Sequence, residues 1–393
     1  MRIKAILKSG KDQSVKRFHP WIFSGAIKKM DGQPKDGELI DVFSNKDEYL
    51  GTGHFQNGSI AIRLITFNNE KIDKDFWFNK ITKAVNYRKS INIIDSTDTN
   101  AYRLIHAEGD NLPGLIVDYY NGTLVLQMHS VGMALAQEQI TAALMKSFND
   151  IVAIYDKSEN TLPYFSDYKQ TNHYILKKSE PDKLIKENSL LFYVDWEKGQ
   201  KTGFFIDQRD NRKLVKDFAK DKKVLNLFGY TGGFSVYALA GKAKHVDTVD
   251  TSSHAIELAN NNVELNFASE NKHNGIVADA FDYLTNTNEK YDLIILDPPA
   301  FAKHNNVLHN ALQGYKRLNQ KALEIINPGG IIFTFSCSQV ISKENFKKSV
   351  FAAAANSGRS VKIIKYLSQP PDHPVNIYHP ESEYLKGLIL YVE

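Results

Sequence analysis

A single cysteine, Cys337, stands in 393 residues, which excludes an internal disulfide and every multi-cysteine zinc site and fits a reducing compartment. Proline and glycine number only 12 and 23, too few for a collagen-like chain or extended disorder. No run approaches 18 apolar residues, and the basic start MRIKAILKSGKDQ has no apolar stretch of signal-peptide length. The chain therefore reads as cytoplasmic, without a membrane partner. It has no G-x-G-x-x-G, which argues against a dinucleotide fingerprint, and no G-x-x-x-x-G-K-[ST], which argues against a nucleoside triphosphatase. Twelve scattered histidines form no H-E-x-x-H and no His/Cys cluster, so no metal is expected. His304 and His309 read as solvated loop residues.

What is present is unevenly distributed. Residues 1–90 carry 17 Lys+Arg against 10 Asp+Glu, although the whole chain has a net charge of only +4. Within residues 1–30 eight basic side chains, including Lys16, Arg17, Lys28 and Lys29, face only Asp12. Such a segment points to phosphate as partner, the other reading being a solvated basic face.

The length suits two or three domains. Residues 1–72 show short alternating segments (RIKAIL, ELIDVF, YLGTGHF, IAIRLI) broken by turn residues, the pattern of a small β-barrel. Residues 73–184 read as a central α+β domain. A helix over 74–90 opens it, two strands joined by Asn121-Gly122 follow, and a helix over 133–148 and a strand over 151–156 complete it. Residues 185–393 alternate strand and helix, the signature of a parallel sheet with crossover helices. Seven strands are expected there, the last two without an intervening helix, so that the sheet ends with an antiparallel strand.

Ligands of such sheets lie beyond the carboxyl ends of the strands. Four ends carry polar groups in succession: Asn226, followed by the turn FGYTGGFS; Asp250, placed to accept from ribose hydroxyls; Asp279; and Asp297 in DPPAF. Together they describe a nucleoside cofactor site without a phosphate loop, while each alone reads as a helix cap or turn. Pro298 and Pro299 make a rigid segment that holds Asp297 against a planar base. Related D/N-P-P-aromatic segments bind exocyclic amines, but here the aromatic Phe301 comes one residue late. Cys337 closes the strand IIFTFS beside that of Asp297. A free cysteine is often an inert core residue, and this position favours a nucleophile.

KTGFFIDQRDNR (201–212), LNLFGYTGGFS, DPPAF and TFSCS, with RFHPWIFSGAI (17–27) and RLIHAEGDNLPGLIVDYY (103–120), resemble the bacterial class I S-adenosylmethionine-dependent rRNA 5-methylcytosine methyltransferases that carry an N-terminal PUA domain. The resemblance spans almost the whole chain. It implies a PUA-like β-barrel, a small α+β domain and a Rossmann-like seven-stranded methyltransferase domain, with S-adenosylmethionine as cofactor, large-subunit rRNA as partner, and room for a homodimer. It implies that residues 202–212, with Phe205, Asp207 and Arg209, close over the cofactor. Phe228, Tyr230 and Gly232 would lie in its first loop, Asp250 and Ser252 near the ribose, and Asp279 and Ala280 by the adenine. Asn226 stands where an acidic residue is common, and no second cysteine accompanies DPPAF. Cys337 matches the nucleophile, and Asp297 would face both methyl donor and base. Cytosine C5 needs a thiolate on C6 before it can attack a methyl group. Asp297, protonated or sharing a proton with N3, would stabilise the ring charge. Phe301, Tyr315 and Tyr230 are stacking candidates for a base turned out of its stack, with simple packing as the first reading of each. Two other readings stand beside this one: a base amino-group methyltransferase using Asp297-Pro-Pro, and a non-catalytic ribosome-assembly factor.

Overall fold

A computed structural model describes residues 2–162, 168–268, 271–302 and 304–393. The chain divides into two compact units. The first comprises Met1–Ile185, Val194–Ile206 and Pro371–Ser382; the second comprises Lys186–Tyr193, Asp207–Pro370 and Glu383–Glu393.

The first unit opens with β1 (Ile3–Leu7), α1 (Gln13–Lys16), β2 (Trp21–Phe23), β3 (Ile27–Met30), β4 (Leu39–Phe43), β5 (Tyr49–Phe55) and β6 (Ile60–Thr66). The strands form one sheet in the order β2-β6-β5-β4-β1-β3. Alternate residues point inward, as the pleat requires, so Ala5, Leu7, Ile40, Val42, Ile62 and Leu64 make its core. Gly53 is obligatory at its bulge, since a Cβ there would lie 2.3 Å from the Arg63 carbonyl oxygen.

Next comes α2 (Lys74–Ser90), over the span the periodicity predicts. Asp73 caps it by accepting from the backbone N–H groups of Asp75 and Phe76. A second sheet follows, built from β7 (Ala101–His106), β8 (Leu115–Tyr120), β9 (Thr123–Met128), β10 (Ala153–Asp156) and β11 (His173–Lys177), ordered β11-β10-β9-β8-β7. Asn121 and Gly122, with φ of 42° and 87°, make the left-handed two-residue turn that the hairpin between β8 and β9 needs. The single helix expected over 133–148 is two, α3 (Val131–Leu135) and α4 (Gln137–Ser147), with Ser130 capping the first.

Residues 371–382 return to this unit from far along the chain. Arg88, fully buried, donates from Nη2 to the Asp372 carbonyl at 2.7 Å and pairs with Asp110. The Arg103 N–H donates to the Asp372 carboxylate at 3.0 Å.

β12 (Leu184–Glu187) and β13 (Leu190–Tyr193) form a hairpin. The second unit continues with α5 (Arg209–Phe218), β14 (Lys223–Leu227), α6 (Gly233–Ala240), β15 (His245–Asp250), α7 (Ser253–Phe267), β16 (His273–Val277) and α8 (Ala280–Asn286). It ends with β17 (Tyr291–Leu296), α9 (Leu308–Ile325), β18 (Ile326–Ser336), α10 (Lys343–Ser357), β19 (Val361–Leu367) and β20 (Lys386–Val392). The seven-stranded sheet runs β16-β15-β14-β17-β18-β20-β19, and only β20 is antiparallel to its neighbours. Order reverses between β14 and β17, the switch point at which such sheets take their ligands. Three details depart from the sequence pattern. α8 is an extra short helix, α9 starts at Leu308 and so includes His309 rather than leaving it in a loop, and β16 begins at His273.

Candidate active site

The carboxyl ends of β14 to β18 converge on one edge of the second unit's sheet. At the end of β14, Asn226 is buried and donates from Nδ2 to Ser235 Oγ at 2.9 Å, while its Oδ1 has no hydrogen-bond partner. A buried acceptor of this kind is costly unless something binds it. The loop beyond is held in a demanding conformation. Phe228 and Tyr230 take left-handed φ of 59° and 45°, a strain that non-glycine residues show most often at functional sites. Between them, a Cβ on Gly229 would lie 2.3 Å from Thr248 Cγ2, and Gly232 has a φ of 74°. The Tyr230 N–H donates to Asp250 Oδ2 at 3.0 Å, which ties the loop to the end of β15.

The outer carboxylates are held by backbone. Asp250 Oδ1 accepts from the Ser252 N–H at 3.0 Å. Ser252 in turn caps α7 through the Ala255 N–H. Asp279 is exposed and caps α8, accepting from the N–H groups of Phe281 and Asp282 at 2.8 and 3.1 Å, with Ala280 buried beside it.

Nearer the middle of the sheet the setting changes. Asp297 follows β17, and its Oδ1 accepts from Gln208 Nε2 at 3.0 Å; Gln208 is itself held by Asn211 at 2.6 Å. Asp207 accepts from the Tyr384 hydroxyl at 2.7 Å through Oδ2, while its Oδ1 is buried without a partner. Burial, and then the nearby Asp207 charge, push the Asp297 carboxyl up to about 7, with the Gln208 hydrogen bond acting the other way. Cys337 directly follows β18, which pairs in parallel with the strand of Asp297, and its Sγ lies 3.9 Å from the Pro298 carbonyl oxygen. Burial, then the Asp297 and Asp207 charges, push its thiol up to about 12. Without substrate, sulfur therefore keeps its proton.

Arg212 fixes the helix that carries these partners. Its Nε and Nη2 donate to buried Glu187 at 2.8 and 2.7 Å, and the Tyr237 hydroxyl donates to the same carboxylate at 3.0 Å. Arg209 is buried near Asp210. Phe205 belongs to the first unit and Asp207–Arg212 to the second. Tyr315 is a core residue, fully buried with its ring 4.6 Å from that of Phe301, which agrees with its packing reading. The basic residues expected to meet RNA, Lys16, Arg17, Lys28 and Lys29, are all exposed. Lys16 is engaged by Glu48 and Asp12, and Lys29 lies 3.1 Å from Asp31.

Three site residues escape sequence reading: Gln208, Tyr384 and Lys386. Gln208 sits inside the matched stretch 201–212, where its neighbour Asp207 was noticed. Lys386 opens the last strand opposite Ser336 and is buried. Its Nζ donates to the carbonyls of Ser338 and, at 2.7 Å, Ile341, holding the turn that follows Cys337.

This sheet order, with a strained glycine turn, a carboxylate at the end of β15 and polar strand ends at the switch point, is the frame of a class I methyltransferase. A family model described as S-adenosylmethionine-dependent methyltransferase matches residues 161–389, and a PUA-like domain model matches residues 5–67. The chain is 39% identical, over 98% of each sequence, to the ribosomal RNA large subunit methyltransferase I of Aliivibrio fischeri. Among solved structures, a SAM-dependent methyltransferase from Streptococcus mutans superposes with a TM-score of 0.86 at 25% identity over the full length of both chains. A methyltransferase complexed with SAH gives the same values. The chain belongs to the S-adenosylmethionine-dependent methyltransferases, in the family of ribosomal RNA large subunit methyltransferase I. Its cofactor is S-adenosylmethionine, and the unpaired Asn226 Oδ1, the Gly229 turn and Asp250 suit that group. Among the described residues no helix is long and apolar enough to cross a membrane.

Proposed function

We propose that this protein methylates C5 of a cytidine in large-subunit ribosomal RNA, with Cys337 as nucleophile. The observation that carries the reading is the placement of the chain's one thiol and a half-buried carboxyl, pushed up to about 7, at the ends of adjacent parallel strands. An N-directed enzyme needs no such thiol. The half-buried Phe301, packed on Tyr315, leaves the DPP segment without the aromatic that amine-binding versions present.

Bound S-adenosylmethionine supplies an electrophilic methyl group. Asn226, the Phe228–Gly232 turn and Asp250 hold the donor, with Asp279 and Ala280 at the adenine end and Asp207 and Arg209 beside the reacting end. Cys337 Sγ forms a bond to cytosine C6 as its proton passes to ionised Asp297. Asp297 then hands that proton to N3, so the ring becomes a neutral enamine rather than a buried anion. C5 takes the methyl group, water accepts the C5 proton, and as the Cys337–C6 bond breaks the N3 proton returns through Asp297 to the sulfur, which restores the aromatic ring, the thiol and the ionised carboxylate. Gln208 keeps Asp297 oriented during both transfers, and Lys386 fixes the turn from which the sulfur attacks. Exposed Arg17, Lys28 and Lys29 provide phosphate contacts, which makes RNA affinity salt-dependent.

The test is transfer of labelled methyl from S-adenosylmethionine to unmethylated rRNA, followed by nucleoside analysis. Label in 5-methylcytosine is expected, with Cys337→Ala lowering turnover by about 10³-fold or more while cofactor binding survives. Turnover retained in Cys337→Ala, with label in a purine amino group, would overturn the assignment. No label with either protein, and no cofactor binding, would return the chain to an assembly-factor role.

A further inference from the structure

Away from the methyltransferase site, the fold brings together three groups that are distant in sequence. His19 lies just before β2, whereas His379 and Glu381 lie in the segment Pro371–Ser382 that returns to the same unit. Glu381 Oε2 is 3.5 Å from His19 Nε2 and 3.7 Å from His379 Nε2, and one ligand atom from each residue falls within a 4.8 Å circle. The edges of a tetrahedral zinc site are about 3.3–3.6 Å, given metal–ligand bonds of about 2.0–2.2 Å. Two of the three separations are thus near those of a closed site.

Two further observations distinguish this cluster from an ordinary surface ion pair. His379 is only 2% exposed, and its Nε2, turned to the cluster, has no hydrogen-bond partner. Its other ring nitrogen, Nδ1, lies 2.7 Å from Ser382 Oγ. Nδ1 of His19 rests on the Trp21 backbone, 3.3 Å from the carbonyl oxygen and 3.2 Å from the N–H. The tautomers in which Nδ1 of His379 donates to Ser382 Oγ and Nδ1 of His19 donates to the Trp21 carbonyl are the ones that present Nε2 lone pairs to a metal. Trp21 packs its ring 4.3 Å from that of His379 and donates from Nε1 to Glu108 at 2.8 Å, which adds a second carboxylate close by.

We propose that His19, His379 and Glu381 form a binding site for a divalent first-row transition metal such as Zn²⁺, which fastens the Pro371–Ser382 segment to the N-terminal sheet. Imidazole and a single carboxylate suit zinc better than calcium or magnesium, which favour all-oxygen shells. Three protein ligands leave one tetrahedral position for water. The inference is independent of the base that is methylated.

The experiment uses the full chain, stripped with a chelator and titrated with Zn²⁺ in a calorimeter. Thermal midpoints are read with and without the ion. Wild type should bind one Zn²⁺ per chain and unfold at a higher temperature when it is present. Glu381→Gln and His379→Gln should each weaken the site by about tenfold or more and lose the thermal response. Glu381 is half-exposed, so its variant keeps the fold and decides the matter if His379→Gln is unstable. Co²⁺ should give the wild type a visible absorption band of tetrahedral type that Glu381→Gln lacks. An unchanged stoichiometry and thermal response in Glu381→Gln, or no Zn²⁺ binding by wild type, would overturn the site and leave the cluster a hydrogen-bonded contact.

Discussion

The outer and inner halves of the strand-end series use the same side chain for opposite purposes. Asp250 and Asp279 sit at the β15 and β16 ends, half-buried or exposed, with their oxygens on nearby backbone N–H groups. Asp297 sits at the β17 end, half-buried but set beside Asp207 and Cys337, and its carboxyl is pushed up to about 7. Local backbone hydrogen bonds make a rigid acceptor, suited to holding a cofactor. Burial beside a second carboxylate makes a proton carrier, and that difference separates binding from chemistry in this sheet.

Among the strand-end carboxylates, removal of the inner one should have the largest effect. Asp297→Asn is expected to lower kcat by about 10²-fold or more, with little change in the KM for cofactor, because it removes a positioned proton acceptor. Below pH 7 Asp297 already holds a proton and cannot take the thiol's. Wild-type kcat/KM should therefore rise through about pH 7 and then level, whereas the variant should lose that step. Stability should move the other way. A carboxyl raised from its ordinary 3.8 to about 7 stabilises the fold fully below about pH 4, and that contribution is lost as pH rises toward 7. Asp297→Asn should thus match wild type near pH 4 and exceed it at pH 8.5 by a few kcal/mol on the order-of-magnitude scale of such shifts. Thermal midpoints at the two pH values check this, and equal midpoints at pH 8.5 would mean that Asp297 is not burdened by its burial.

A smaller effect is expected at Lys386, which acts on the inner half through the turn after Cys337. Burial lowers its ammonium to about 8, so it is mostly charged at neutral pH. Lys386→Met leaves the Ser338 and Ile341 carbonyls without their donor. It should lower kcat by about tenfold, the equivalent of one charge-assisted hydrogen bond. It should also slow alkylation of Cys337 by iodoacetamide, which a purely structural role would leave unchanged. A rise in cofactor KM alone would place Lys386 with the outer half and blur the contrast.

Much of this frame was legible in the residues, because parallel strands buried on both faces appear as short apolar runs between polar ends. That is why the antiparallel last strand, the adjacency of Asp297 and Cys337, and the Asn121-Gly122 hairpin can be read directly. What escaped reading depends on distance along the chain. Lys386 meets the Cys337 turn only through the register of β18 and β20. His19 and His379 are separated by most of the sequence, so no spacing rule pairs them. α8 is a seven-residue helix whose clearest sign, the Asp279 cap, also reads as a ligand for adenine. The break between α3 and α4 at Ala136 has no proline or glycine to announce it.

The smallest expected effect bears on that last ambiguity, since capping and cofactor binding compete to explain the outer residues. Ser252 Oγ accepts from the Ala255 N–H in the geometry of an N-cap, whereas Asp250 braces the Tyr230 loop across to the end of β15. Asp250→Ala should raise the KM for S-adenosylmethionine by about tenfold with kcat nearly unchanged, the cost of losing hydrogen bonds to a charged acceptor. Ser252→Ala should leave both constants alone and lower stability by about 1 kcal/mol, the usual cost of a lost cap. Isothermal cofactor titration and urea unfolding of the two variants separate the outcomes. A weakened cofactor site in Ser252→Ala at unchanged stability would show that the hydroxyl faces the ribose, and the outer half would then bind through side chains rather than merely through a backbone frame.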